Sequence, residues 1–341
     1  MEQLRVDALS PAEIAKRIAE VGKKKSGLDL FRLFMLAVLG GVFISLGAEF
    51  FTLVIHATGL AFGLTKLVGG VVFSLGLILI VLAGAELFTG NALMSIAFIQ
   101  RIISGRSLAR NWGLVYIGNF AGAMLIVLLM YYSGQWGFNG SMVGAQALLI
   151  ANSKVNIAFS TAFVLGILAN GLVCLAVWLC FGARSTIDKI FAIVFPITAF
   201  VASGFEHCVA NMYFIPMGIW LKSQPSVLAA AQTMSGGELA LQNLTWAGFA
   251  VKNLIPVTLG NIVGGSVLVG GVYWSIYIRE FSWSAFFRLA QIGLKLAISV
   301  SPRRMGTTLS GFYAVLARRK PGSRPLPRDL TDIVVEEDED E

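Results

Sequence analysis

The sequence predicts an all-α membrane protein of six spans, the second and fifth broken near their middles, built as an inverted internal repeat. Three observations carry this. Of the 341 residues, 56% are apolar before glycine is counted, 37 are glycine, and only 13% are charged. Soluble domains hold about 25% charged residues, and a soluble chain could not hide this much apolar surface. Second, apolar runs fit to cross roughly 30 Å of hydrocarbon recur along the chain. Third, two of these runs are too long for one crossing and too short for two, and each holds a carboxylate at its centre.

In chain order, residues 1–30 read as a cytoplasmic amphipathic helix rather than a signal peptide, being too charged and lacking an apolar core region. Ser10-Pro11-Ala12-Glu13 supplies a cap, a first-turn proline and a capping-box acid. Ile14, Ile18 and Val21 then share a face, with Lys16, Arg17 and Lys23 to Lys25 beside the membrane. A channel domain over 31–280 follows. Its spans fall near 31–56, 67–99, 111–132, 155–181, 190–221 and 247–278. With both termini inside, 22 of the 26 Lys and Arg lie on the cytoplasmic side, and the positive-inside bias selects that orientation. Residues 281–341 form a cytoplasmic extension. Its stretch 283–300 reads as an interfacial amphipathic helix, its nine Lys and Arg over 281–328 form a basic block, and eight acids close the chain over 329–341. No zinc-finger or RNA-binding pattern points to nucleic acid. Cys174, Cys180 and Cys208 lie in apolar runs and are expected to pack.

The two overlong spans resemble each other. Gly84-Ala-Glu86-Leu-Phe-Thr-Gly-Asn91 and Gly204-Phe-Glu206-His-Cys-Val-Ala-Asn211 share Gly, Glu and Asn at identical spacing. Gly118-Asn119-Phe-Ala-Gly122 and Gly260-Asn261-Ile-Val-Gly264 echo each other in the third and sixth spans. Three spans per half place the halves in opposite orientations. Irregular backbone at membrane depth survives only inside protein or along a watery cavity, and transport sites form at such repeat interfaces.

Intramembrane ionisable residues are costly and mark function. His207 sits at the second break beside Glu206, whereas His56 lies at a span end as an interfacial histidine. Glu206, His207 and Cys208 are consecutive, point in different directions and cannot chelate one metal; no metal or cofactor is expected. Glu86 and Glu206 suit the N-termini of the half-helices that follow them. Lys154 opens the fourth span and offers Glu206 a counter-charge or snorkels. The histidine, the lysine and the positive helix ends favour a small anion over a cation. Phe73, Leu77, Leu87 and Phe200 would form narrow apolar slits or ordinary packing. A neutral-solute channel of the water or glycerol kind would waste the Glu-His-Lys cluster, and a membrane-embedded enzyme lacks a nucleophile or metal constellation.

Gly-Ala-Glu-Leu-Phe-Thr at 84–89, Gly-Phe-Glu-His-x-x-x-Asn-Met at 204–212 and Asn-Leu-Ile-Pro-Val-Thr-x-Gly-Asn-x-x-Gly-Gly at 253–265 resemble the formate/nitrite transporter family. The resemblance spans about residues 25–280. It implies an aquaporin-like six-helix bundle in a homopentamer, one pore per protomer, in the cytoplasmic (inner) membrane. It also implies a polar cluster of His207, Glu206, Lys154 and Asn211, pore residues Thr89, Asn170 and Asn261, and a constriction of Phe73, Leu77, Leu87 and Phe200 with Val173. The expected substrate is a small weak-acid anion, formate first, then nitrite, lactate or hydrosulfide. His207 is expected to lend a proton at the slit, since the neutral acid crosses apolar surroundings more cheaply than the anion. Protons and membrane lipids complete the partners. The extension past 280 departs from the family's compact members.

Overall fold

The computed structural model describes residues 8–279, and all regular structure among them is helical. The elements in order are α1 (Pro11–Ser26), α2 (Leu30–Ile55), α3 (Phe62–Gly84), α4 (Gly90–Ile99), α5 (Gly105–Ser133), α6 (Phe138–Val155), α7 (Phe159–Gly182), α8 (Thr186–Ala202), α9 (Cys208–Leu221), α10 (Pro225–Ser235) and α11 (Gly248–Tyr277). Five of these, α2, α3, α5, α7 and α11, are long and apolar enough to cross a membrane. Phe31, Phe62 and Phe195 stand on the outside at 77%, 79% and 69% exposure. Such side chains are at home against lipid or another subunit, not water.

The expected span 67–99 is two helices: α3 starts earlier, at Phe62, and closes in a π turn over Ile80–Gly84 before α4 begins at Gly90. The expected span 190–221 is likewise α8 and α9, of 17 and 14 residues, separated by non-helical backbone at 203–207. Both interruptions start at a glycine with positive φ, 85° at Gly84 and 71° at Gly204. A Cβ there would be strained, which is why glycine opens each stretch.

Helix α1 forms where the cap was expected, but Val21 is only half-buried and Gly22 takes its place on the inner face. Ser10 and Glu13 close a capping box, and Ile14, Ala15, Ile18, Ala19 and Gly22 bury one face. Residues 1–7 lie outside the described residues. Two helices are absent from the sequence reading, α6 and α10, which pack on each other, α6 also lying against α9. Lys154 therefore sits in the last turn of α6 and does not open the fourth span, which begins at Phe159. The segment reads poorly as helix because Asn139, Gly140 and Ser141 carry positive φ at its start.

Small residues bring the long helices together. A Cβ on Gly118 or Gly122 of α5 would strike Ala37 or Val38 of α2, and a Cβ on Gly260 or Gly264 of α11 would strike Phe163 or Ile167 of α7. These Gly-x-x-x-Gly faces permit the close backbone approach by which helices associate in lipid. At the far end of α7, Gly182 packs against Ile14 of α1. Its 24 residues rise about 36 Å, so α1 and α6 lie at opposite ends of the bundle.

The chain divides after Arg279. The extension expected over 281–341, with its amphipathic stretch at 283–300, lies outside the described residues. A protein cut after Arg279 should stay monodisperse in detergent, with a melting midpoint within a few degrees of the full chain. A shift of 10 °C or more in differential scanning fluorimetry, on the order of 3 kcal/mol for a chain this size, would place the boundary wrongly.

Candidate functional site

Each interruption is held by one asparagine. Asn119 of α5 donates from Nδ2 to the carbonyls of Ala37 (2.7 Å) and Glu86 (2.9 Å), while its Oδ1 accepts from the Phe88 amide (2.9 Å). Asn261 of α11 repeats this with Gly166 (2.7 Å), Glu206 (3.0 Å) and the Cys208 amide (2.9 Å). Backbone amides close the pattern: Glu86 donates to Leu36 and Glu206 to Leu165. Non-helical backbone thus keeps its hydrogen bonds where water is scarce. The repeated Gly-Asn-x-x-Gly signature is the sequence trace of these two struts.

Beside each strut lies a Lys–Glu–Asn–Asn cluster. At the α6 end, Lys154 Nζ lies 2.7 Å from Glu206 Oε1, and Asn211 and Asn253 donate to Oε2 at 2.7 and 3.1 Å. Asn211 also donates to Asn253 Oδ1 (2.7 Å), and Asn253 to the Lys154 carbonyl (2.9 Å). At the α1 end, Lys25 Nζ lies 3.0 Å from Glu86 and donates to Asn91 Oδ1 at 2.7 Å. Asn91 donates to Glu86 (2.7 Å) and to Asn111 Oδ1 (2.8 Å). The lysine side chains are 27% exposed at Lys25 and 16% at Lys154, against 8% and 3% for the glutamates. Each carboxylate is thus buried with its charge satisfied, while part of each lysine side chain stays exposed.

The sequence reading found Lys154, Glu206 and Asn211 but missed Lys25, Asn111 and Asn253. The signal existed. Asn-x6-Gly-Asn-x-x-Gly runs from Asn111 and again from Asn253. Lys25 continues the buried face of α1 one turn past Gly22. The suggested capping role of Glu206 is also corrected. The N-cap of α9 is His207, whose Nδ1 accepts from the Ala210 amide at 3.1 Å.

His207 is 2% exposed, and its Nε2 lies 2.9 Å from Thr89 Oγ1. An amide N–H only donates, so Nδ1 is the unprotonated nitrogen and the neutral ring carries its hydrogen on Nε2. The Thr89 carbonyl accepts from Asn170 Nδ2 (3.2 Å) and Cys174 Sγ (3.4 Å), and Asn170 also donates to the Asn261 carbonyl (2.6 Å). Thr89, Asn170, His207 and Asn261 therefore form one network spanning both interruptions. Cys208 and Cys180 are buried as well. His56 is half-buried at the C-cap of α2, its ring against the Leu53 carbonyl.

The five apolar residues expected at the slit are all buried. The Phe73 and Phe200 rings meet edge-on at 5.6 Å, and Phe200 lies 6.0 Å from the His207 ring. Leu77 and Leu87 line a cavity of about 450 Å³ at the α1 end, together with Lys25, Glu86 and Asn91. Val173 is buried in α7, the helix that also carries Asn170.

A bundle of apolar helices with paired clusters at two interruptions defines the class, a polytopic membrane transport protein. Comparison with known proteins narrows it. The family model described as "Formate/nitrite transporter" matches residues 12–275. The "Formate channel FocA" of Escherichia coli (strain K12) is 46% identical over 275 residues, covering 80% of this chain and 96% of that protein. The FocA of Haemophilus influenzae is 41% identical over 270 residues, 79% of this chain and 95% of that one. A solved "Pentameric formate channel with formate bound" superposes with a TM-score of 0.67 at 43% identity, covering 73% of this chain and 98% of that chain. The chain belongs to the formate/nitrite transporter family, and it is an integral membrane protein.

Proposed function

We propose that this protein is a formate channel, assembled as an aquaporin-like homopentamer with one pore per protomer, in the inner membrane with both termini cytoplasmic. In this reading α3–α4 and α8–α9 are the broken second and fifth crossings, and the two halves are related by an axis in the membrane plane. The relatives and the superposed channel named above support formate and the pentamer, and the lysine count supports the orientation. Lys25 and Lys154 draw the anion into the two mouths. Leu77 and Leu87 narrow the path from the α1 end, and Phe73, Phe200 and Val173 narrow it further in. Thr89, Asn170, Asn211 and Asn261 hold the walls of that path.

The observation that carries the central step is the bond from the Ala210 amide to His207 Nδ1. An imidazolium needs hydrogen on both nitrogens, so charging His207 would expel the Ala210 amide and uncap α9. His207 therefore serves as a neutral Nε2–H donor to the carboxylate oxygen, passed through Thr89. It orients the anion without lending it a proton.

The test is formate uptake into proteoliposomes, with nitrite, lactate and chloride alongside, from pH 5 to 8 under a clamped potential. His207→Asn, which keeps a donor, should lower the formate rate several-fold and leave the shape of the pH profile unchanged. A wild-type profile with a step between pH 6 and 7 that vanishes in His207→Asn would establish a proton relay instead. Chloride crossing as fast as formate would reject the substrate assignment.

A further inference from the structure

Beside the α1-end cavity lies a second one, of about 300 Å³, walled by Arg17 of α1, Arg184 and Lys189, with Leu9 and Phe181 at its edge. Arg17, Lys189 and Phe181 line both cavities, whereas Arg184 lines only the second. None of the three cations forms an ion pair with an acid among the described residues. The neighbouring acids are committed to backbone. Asp188 accepts from the Ser185 and Arg184 amides at 2.9 and 3.2 Å, and Glu13 from the Ser10 amide at 2.9 Å.

Lys25 already serves the path to Glu86, so these three cations are not needed there. With Asp188 and Glu13 both counted, three cations against two carboxylates leave a surplus of about one positive charge, presented on three separate donors. Two of them are guanidinium forks, which match the oxygens of a phosphate better than a lone carboxylate.

We propose that this basin is a phosphate-binding site at the rim of the α1-end mouth, taking the phosphate group of a phosphate ester or of an anionic lipid headgroup. Because Arg17 and Lys189 belong to both walls, an occupant here withdraws them from the mouth and stands beside it, and anion flux falls. The binding half stands independently of the formate reading.

The probe is inorganic phosphate, titrated by calorimetry into the full-length protein in phosphatidylcholine nanodiscs, against chloride of equal ionic strength. Saturable binding at one phosphate per protomer is expected. It should weaken at least tenfold in Arg184→Gln and be partly restored in Arg184→Lys. Arg184 is exposed, its side chain makes no bond that the fold needs, and it lies off the larger cavity's wall, so unliganded formate flux in Arg184→Gln should match wild type. Nanodiscs containing phosphatidylglycerol separate the two sources. Phosphate binding lost there identifies the lipid headgroup, and binding unchanged there identifies a soluble phosphate. Phosphate on the α1 side of phosphatidylcholine proteoliposomes should slow formate flux several-fold in wild type and not in Arg184→Gln. No saturable binding beyond chloride, or equal binding in Arg184→Gln, overturns the site. Binding with unchanged flux overturns its effect on transport.

Discussion

Lys154→Met should lower formate uptake at least tenfold and destabilise the protein. The substitution strips the cation from Glu206, whose side chain is 3% exposed and is otherwise held only by neutral amides. Removing one partner of a buried pair costs about 3–5 kcal/mol. Two effects are mixed in that variant, and the double change Lys154→Met/Glu206→Gln separates them. With the acid neutral, the melting midpoint should recover most of its loss while uptake stays low, because the cationic donor at the α6 end is still missing. Uptake returning to wild type in the double variant would limit Lys154 to neutralising Glu206. Lys25→Met/Glu86→Gln poses the same question at the opposite end.

Asn261→Leu should give the largest loss of stability. The Glu206 carbonyl and the Cys208 amide, both at the interruption, lose their side-chain partner together, and the Gly166 carbonyl of α7 loses the bond it makes besides its helical one. At roughly 1–3 kcal/mol for each orphaned group, the protein should be recovered in small yield or melt on the order of 10 °C lower or more. Asn119→Leu should behave alike, since it removes the same kind of partner from the Glu86 carbonyl and the Phe88 amide and a second bond from the Ala37 carbonyl. Asn156, exposed at the end of α6, serves as the control. A midpoint for Asn261→Leu within 2 °C of that control would show that the interruptions are held by other means.

Much of this was legible in the sequence because lipid imposes strong rules. Apolar runs of fixed length mark helices, and a glutamate in the middle of one marks an irregularity. The overlong runs at 67–99 and 190–221 stood out on those grounds, whereas the Gly-Asn-x-x-Gly echo was seen only as a repeat, with the bracing by Asn119 and Asn261 visible only in the fold. Lys25 was hidden among three consecutive lysines, where composition does not distinguish the one turned inward from its exposed neighbour Lys24. The repeated spacing marks Asn111 and Asn253 as a pair, and their convergence on Asn91 and Asn211 shows what the pair does. The capping role passed to His207 because Glu206 is needed by Lys154, a competition between two partners that no linear pattern records. Helix α6 was missed because its first residues, Asn139 to Ser141, read as a turn, and its packing against α9 and α10 has no linear signature.

The repeat is faithful in its struts and unfaithful at one position. Leu87 follows Glu86 where His207 follows Glu206, and Phe88 and Cys208 then occupy the same place against Asn119 and Asn261. In the proposed pore, with its halves related by an axis in the membrane plane, the imidazole of His207 has no counterpart across that axis. An ion entering from the two sides would then meet unlike surroundings. Current carried inward and outward at equal driving force should differ, and the pore should rectify. Leu87→His would restore the symmetry at that position and flatten the current–voltage curve.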